Sequence, residues 1–186
     1  MKKWTKIVLL TLTAIIVLPV IALAIAGMLP GADHMVVSTV IKAKPEAIWP
    51  WLYEKQHVLQ WVSWLVDVRE DSAGEPAVGK SGVWVMEDQN NNNARVEFTG
   101  TVEAVERHRR IAIRLDAPGG FHGTTVYLLA PLPDGSTRFD SDSRYVFDSA
   151  FARFMSPLIY WQAGKKLVAD QQHLKTLIEA SPVAAN

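Results

Sequence analysis

The longest apolar stretch of the chain lies at its N-terminus. Residues 7–29 contain no charged side chain, and as a helix this stretch would be roughly 34 Å long, enough to cross the hydrocarbon core of a bilayer. Three lysines precede the stretch, and the next lysine or arginine after it is Lys42. Because cytoplasmic flanks are enriched in basic residues, residues 1–30 are predicted to form a transmembrane anchor with a cytoplasmic N-terminus and an extracytoplasmic body.

A cleaved signal peptide is the alternative interpretation of the same stretch. Small residues at 22, 24 and 26 form patterns typical of cleavage sites, and Pro19 interrupts the run. Apolar residues continue to Leu29, however, beyond the usual hydrophobic region of a signal peptide, which favours the uncleaved anchor. Under both interpretations the body is exported, and it would be secreted if the segment were removed.

The start of the body combines one strand with two short helices. Residues 35–41 carry a β-rich run, and the Lys-Pro-Glu sequence at 44–46 then opens a helix. Pro50 lacks an N–H and disfavours helical backbone in the residue before it, so this helix is expected to be short or distorted. A second short helix is predicted around residues 58–64.

The middle of the body is predicted to hold about six antiparallel strands. Residues 94–105 alternate between apolar and polar positions, with Val96, Phe98, Gly100, Val102 and Ala104 on one face, which is typical of a half-buried strand. The Asn-rich sequence at 88–93 is predicted to form a hairpin tip, and Gly119, Gly120 and Gly123 are interpreted as hairpin turn residues. Further strands are predicted at 66–70, 82–86, 111–115 and 137–147.

The C-terminal part is predicted to be one long amphipathic helix over residues 148–180. Asp148 is a possible N-cap, and the Ser-Pro sequence at 156–157 is expected to break and restart the helix. Strands with helices segregated to one side indicate an α+β fold. The apolar residues that recur near helical spacing in this C-terminal helix are Phe151, Phe154, Met155, Leu158, Trp161, Leu167, Leu174, Leu177 and Ile178.

Charge and candidate chemistry narrow the possible functions. The chain has 19 basic and 19 acidic residues, so nothing in its overall charge predicts a nucleic-acid partner, and it has no cysteine. Its five histidines are scattered without metal-ligand spacing, and neither a metal nor a cofactor is expected. Asp140 and Asp142 fall on the solvent face of their strand, so no catalytic constellation is evident.

Several segments together resemble the START-like (SRPBCC) superfamily, in particular its polyketide cyclase/dehydrase-type members. The resemblance covers a domain at residues 34–180, after which residues 181–186 are expected to be a flexible tail. It implies a helix-grip fold, in which a curved antiparallel sheet of about six to seven strands wraps a long C-terminal helix and encloses an apolar cavity. The segments are IKAKPEAIWPWL at 41–52, WVSWL at 61–65, AVG at 77–79, GTTVYLLAPLPDGSTRF at 123–139 and LKTLIE at 174–179.

The function expected from this resemblance is binding of a hydrophobic small molecule or lipid in the cavity, beside a membrane. An aromatase/cyclase-like enzyme and a structural envelope module with a filled core are the alternatives. Inward-facing hydroxyls such as Ser141 and Tyr145 suit the orientation of a ligand and equally suit ordinary core packing. The residues expected to line the cavity are Trp51, Trp64, Phe98, Ile113, Phe139, Ser141, Tyr145, Phe154, Leu158 and Trp161.

The family resemblance assigns two different roles to the four tryptophans between residues 49 and 64. Trp49, Trp61 and Trp64 match positions that the family uses for packing. Trp51 lies outside that pattern and is expected at the cavity mouth or facing the bilayer, where amphipathic rings suit an interface.

Overall fold

The computed structural model describes residues 2–28, 34–70, 74–88 and 92–181. The predicted tip at 88–93 is therefore only partly described, and residues 182–186 of the predicted tail lie outside this range. A 3-10 helix at Trp49–Leu52 interrupts the short helices, as expected from Pro50. The elements are α1 (Lys2–Met28), β1 (His34–Ile41), α2 (Pro45–Ile48), α3 (Lys55–Trp61), β2 (Leu65–Glu70), β3 (Ser81–Asp88), β4 (Ala94–Glu106), β5 (Arg110–Ala117), β6 (Phe121–Pro131), β7 (Thr137–Phe147) and α4 (Ala150–Ala180).

The seven strands form one antiparallel sheet in the order β1-β7-β6-β5-β4-β3-β2. Each strand from β2 to β6 pairs with the next strand in the chain, whereas β1 pairs with β7. The curved sheet is covered by α4, which packs on β1, β7 and α3. The α+β helix-grip arrangement predicted from the sequence is thereby confirmed.

Two apolar clusters hold α4 against the sheet. The larger one includes Trp49, Trp61 and Phe139, and the C-terminal half of α4 contributes Leu174 and Ile178 to it. The smaller one joins Met35 and Val37 of β1 to Tyr160, Ala163 and Leu167 of α4. Since burial of apolar side chains is the main favourable term in folding, these contacts fix the side of α4 that faces the sheet.

The alternation predicted along β4 is interrupted by a β-bulge. The pairing with β5 shifts register between Val102 and Ala104, so that Val105 rather than Ala104 continues the packing against the core. A bulge adds one residue to one strand and reverses the facing of those that follow. Val96, which was expected on the buried face, is 39% exposed near the other end of the strand.

Helix α4 is continuous where a break was predicted. Pro157 cannot donate to the carbonyl of Arg153, but the Ser156 hydroxyl donates to that oxygen at 2.8 Å and satisfies it. The N-cap is Ser149 and not Asp148, because the Ser149 side chain accepts the Ala152 N–H at 3.4 Å. The result is a single helix of 31 residues.

Candidate functional site

A small cavity of about 40 Å³ lies between the sheet, α4 and the turn that follows α3. Its position agrees with the cavity that the resemblance implies, under the part of α4 that begins near Leu167. Apolar and aromatic side chains form most of its wall, with a few polar groups among them. The wall comprises Trp61, Val62, Trp64, Trp84, Met86, Ile113, Leu115, Thr125, Tyr127, Ser143, Tyr145, Leu167 and Asp170.

Three hydroxyl groups converge on one side of this cavity. The Thr125 hydroxyl lies 3.1 Å from that of Ser143 and 3.2 Å from that of Tyr145. The three hydroxyls, which come from two neighbouring strands, therefore form one hydrogen-bonded group. Thr125 and Ser143 are buried, and Tyr145 is half-buried. A hydroxyl can donate one hydrogen bond and accept two, so the group retains the capacity to bond a polar atom of a ligand.

Gly123 sets the position of the Tyr145 ring, and the interpretation of this glycine as a turn residue was wrong. Gly123 lies inside β6 and pairs with Tyr145 across the sheet. A Cβ at Gly123 would come within 2.2 Å of Tyr145 Cδ1, so only glycine lets the ring lie over β6. Sequence spacing alone could not reveal this, because glycine near a hairpin usually marks a turn.

Asp170 is a buried carboxyl group in the cavity wall that the sequence analysis did not single out. It is 4% exposed, and its Oδ2 accepts the backbone N–H of Ser63 at 3.3 Å. Burial raises the pKa of Asp170, while the hydrogen bond from Ser63 and the positive charge of Lys166 oppose the rise. A charged residue on an amphipathic helix is normally assigned to solvent, and only the tertiary packing reveals that this one faces the interior.

Tyr127 contributes a further buried hydroxyl to the same wall. Burial raises the pKa of this phenol further above its ordinary value, with smaller contributions from Tyr145 and Asp170. The phenol is therefore neutral at physiological pH and can act as a hydrogen-bond donor.

A second cavity of about 50 Å³ adjoins the first on the side of the 3-10 helix. Trp84 of β3 and Ile113 of β5 line both cavities, so these two side chains form the partition between them. The indole of Trp84 lies against Gly100 of the neighbouring strand, where a Cβ would come within 3.2 Å of Trp84 Nε1. The remaining wall includes Leu52, Tyr53, Pro76 and Val102.

Each cavity is much smaller than an ordinary ligand site. Pockets for small molecules commonly measure roughly 300 to 1,000 Å³, whereas these two measure about 40 and 50 Å³. A few water molecules fill such a volume. Both cavities are therefore too small for an apolar ligand, which would have to enlarge them.

The ten residues expected to line the cavity fall into three groups. Trp64, Ile113 and Tyr145 do line it. Phe139 and Ser141 are buried in the packed core, where Gln171 Nε2 of α4 donates to the Ser141 hydroxyl at 2.9 Å.

The other five lie elsewhere. Phe98 packs edge-on to Phe121, with ring centroids 5.2 Å apart, and Trp51 stacks on His57 at 4.5 Å. Phe154 is half-buried in α4. Leu158 and Trp161 are 40% and 57% exposed, because they project from the side of α4 that faces away from the sheet.

Within the described residues, no group of three or more His, Asp or Glu side chains is arranged to hold a metal ion. Asp140 and Asp142 lie outside the cavity, where Asp140 pairs with Arg138 at 3.0 Å and Asp142 with His34 at 2.5 Å. The polar groups in the wall of the first cavity are mainly one carboxyl and several hydroxyl groups.

A curved antiparallel sheet around a long C-terminal helix, with a mainly apolar cavity between them, defines a START-like domain. A model of the family described as polyketide cyclase / dehydrase and lipid transport matches residues 32–179, and the chain belongs to this family. The search of curated proteins found no match to this chain.

Solved structures with the same fold share little sequence with the chain. A START superfamily protein from Mycobacterium smegmatis has a TM-score of 0.64 at 15% identity, with 78% of this chain and 97% of that one covered. TTHA0849 from Thermus thermophilus has a TM-score of 0.63 at 13% identity, covering 80% and 99%. DynU16, a protein in the dynemicin biosynthetic locus, has a TM-score of 0.57 at 15% identity, covering 80% and 48%.

Proposed function

We propose that this protein is a membrane-anchored domain that binds a hydrophobic small molecule or lipid between its sheet and α4, without changing it covalently. The observation that carries the proposal is the mainly apolar cavity with convergent hydroxyls at Thr125, Ser143 and Tyr145. Apolar walls with a few placed polar groups are the usual composition of ligand sites. The family description, which includes lipid transport, supports the same function.

The ligand site would comprise both cavities. They share Trp84 and Ile113, so a shift of the Trp84 indole would join them into one space running from the 3-10 helix to α4. The free energy for this opening would come from burial of the ligand's apolar surface. The protein would therefore bind by enlarging and joining these two small cavities.

Helix α1 is the proposed anchor. Residues Lys3–Gly27 form a helix long and apolar enough to cross a membrane, with the basic residues at its start. By the positive-inside rule, the N-terminus would be cytoplasmic and the domain extracytoplasmic. Mass spectrometry of the mature protein tests this: an intact N-terminus supports the anchor, and a chain starting near Gly27 indicates a cleaved signal peptide.

Ligand binding can be tested with a matched pair of substitutions on α4. Leu167 lines the cavity, whereas the adjacent Val168 is 49% exposed on the outer side of the helix. A titration with an environment-sensitive fluorescent fatty acid should show that Leu167→Phe, which fills the cavity, weakens binding about tenfold, equivalent to ~1.4 kcal/mol. Val168→Phe should bind as the wild type does. Equal binding by all three proteins would place the probe outside the cavity.

Organic extraction of the full chain purified from membranes provides an independent measurement. Mass spectrometry of the extract should recover an apolar compound that is reduced in the Leu167→Phe protein. Failure to recover such a compound, together with absence of probe binding, would favour the alternative of a structural module with a filled core.

Asp170 supports a second candidate function, that of an enzyme acting on a polyketide-type substrate. Its buried carboxyl lies in the cavity wall with the phenols of Tyr127 and Tyr145. A general base needs a pKa near the working pH, and burial raises the pKa of Asp170 in that direction. The carboxylate would take a proton from the carbon next to a ligand carbonyl, and a phenol would donate a hydrogen bond to the carbonyl oxygen.

Deuterium exchange provides the test of this second function. A β-diketone in D₂O should exchange the hydrogens between its carbonyl groups faster with the wild-type protein than with Asp170→Asn, as followed by NMR. The amide retains an acceptor for the Ser63 N–H but cannot take the proton. Equal rates for the two proteins, at the rate of buffer alone, would argue against proton transfer by Asp170.

A further inference from the structure

We propose that the outward side of the first half of α4 inserts into the interfacial zone of the membrane that α1 enters. This proposal rests on the proposed anchor. The surface concerned, called here the α4 membrane face, consists of Phe151, Leu158 and Trp161. These residues are 72%, 40% and 57% exposed, although all three are large and apolar.

Their spacing places the three residues on one side of the helix. Positions 151, 158 and 161 are separated by seven and three residues, which is the spacing of one helical stripe. The opposite side carries Tyr160 and Leu167, which are buried against the sheet. Helix α4 therefore has two apolar sides, and the sheet covers only one of them.

Contact with α1 indicates what covers the other side. The end of α1 packs against α4, and a Cβ at Gly27 would lie 3.4 Å from Pro157 Cγ. Pro157 immediately precedes Leu158 in the α4 membrane face. If α1 crosses the bilayer and leaves it near Gly27, the face lies at the level where the span meets the headgroups.

The positions of the exposed aromatic side chains agree with this arrangement. Among the described residues, the exposed large aromatic residues are Trp4, at the start of α1, and Phe151 and Trp161. The helical rise from Trp4 to Gly27 is about 34 Å, close to the thickness of the hydrocarbon core. Tryptophan is enriched at both membrane–water interfaces, so Trp4 and Trp161 would mark the two sides of one bilayer.

Charges border the α4 membrane face without interrupting it. No charged residue occurs between Arg153 and Lys165, and the Lys165 ammonium lies 3.4 Å from the ring centroid of Trp161. Basic residues beside an apolar helix face suit the phosphate groups of lipids, while the apolar side chains enter the acyl boundary. A bilayer interface matches both the apolar stripe and its basic border.

The test uses nitroxide labels on single cysteines, since the natural chain has none. The full chain is reconstituted in vesicles of phosphatidylcholine and phosphatidylglycerol. Label mobility and collision rates are then measured with oxygen, which concentrates in the acyl region, and with a water-soluble nickel chelate.

Three label positions distinguish insertion of the α4 membrane face from insertion of α1. Leu158→Cys reports on the α4 membrane face, and Ile15→Cys reports on the middle of α1. Val40→Cys is the control: Val40 is 44% exposed, and its carbonyl accepts a hydrogen bond from Lys175 at the far end of α4, about 25 Å along the helix from Leu158. Circular dichroism confirms that each variant is folded.

The expected result is an oxygen-to-nickel collision ratio several-fold higher at positions 15 and 158 than at position 40. A high ratio at 15 with equal ratios at 158 and 40 overturns the inference and leaves the anchor intact. A low ratio at 15 overturns both. Spin–spin broadening at 158 that disappears on dilution with unlabelled protein also overturns the inference, because a second copy would then cover the face.

Discussion

Trp84 is predicted to control how readily the interior opens. Its indole separates the two cavities, and Gly100 leaves room for it across the sheet. Trp84→Ala removes the larger part of this partition without altering the hydroxyl groups or Asp170. The variant should therefore contain one continuous cavity in place of two small ones.

The two effects of Trp84→Ala have opposite signs. Replacing a fully buried tryptophan with alanine costs about 3 to 5 kcal/mol, but Trp84 is only half-buried, so we expect a loss of unfolding free energy of about 2 kcal/mol. Binding should improve, because the ligand no longer has to displace the indole. If opening costs about 1.4 kcal/mol in the wild type, the apparent Kd falls about tenfold.

Urea denaturation and titration with the fluorescent fatty acid measure these two quantities on the same protein. Trp51→Ala is the matched control, since Trp51 is also half-buried but stacks on His57 outside the cavity walls. A Trp84→Ala protein that is destabilised but binds with unchanged or weaker affinity than the control would refute the role of Trp84 as a partition.

Three further predictions concern single side chains. Gly123→Ala should lower the unfolding free energy by about 1 to 3 kcal/mol, because its Cβ collides with the ring of its cross-strand partner. The control Gly164→Ala has no close neighbour and should be neutral or stabilise α4 by up to ~1 kcal/mol in urea denaturation. Because burial raises the pKa of Asp170 above its ordinary value of 3.8, its carboxylate destabilises the fold at pH above that raised pKa. The unfolding free energy of the wild type should therefore increase relative to that of Asp170→Asn as the pH falls through the raised pKa. Urea titrations at several pH values measure this difference, and parallel pH profiles for the two proteins would contradict the prediction. Trp49→Ala should cost about 3 to 5 kcal/mol in the same assay, since Trp49 is 2% exposed. Trp51→Ala should cost much less, since Trp51 is only half-buried, whereas equal destabilisation would assign both residues to the core.

The strands other than β6 and the order of elements could be predicted from the sequence because they depend on local alternation and turn chemistry. Prediction was less successful where a contact between distant segments decides the outcome. The bulge in β4 depends on its pairing with β5, and the role of Gly123 depends on a tyrosine 22 positions away on β7. Neither contact leaves a signal in the residues nearby.

The site was predicted less completely than the fold, for a related reason. Alternation marks which side of a strand is apolar, but it does not distinguish a cavity wall from a packed core. Phe139 and Ile113 have the same pattern, yet Phe139 is in the core and Ile113 separates two cavities. Asp170 was missed because a charge on a helix is assigned to solvent unless its tertiary neighbours are known.

Helix α4 is apolar on two sides, and this has a functional consequence. Apolar residues at helical spacing were assigned to one side, although Tyr160 and Leu167 face the sheet and Leu158 and Trp161 face outward. A helix whose two sides are both apolar needs two apolar environments, and the sheet supplies only one. If the bilayer supplies the other, the ligand cavity, which begins near Leu167, lies about 9 Å along α4 from Trp161 at the end of the α4 membrane face. A ligand dissolved in the membrane would then have only this short distance to travel to the cavity, which gives a physical reason for attaching such a domain to a membrane span.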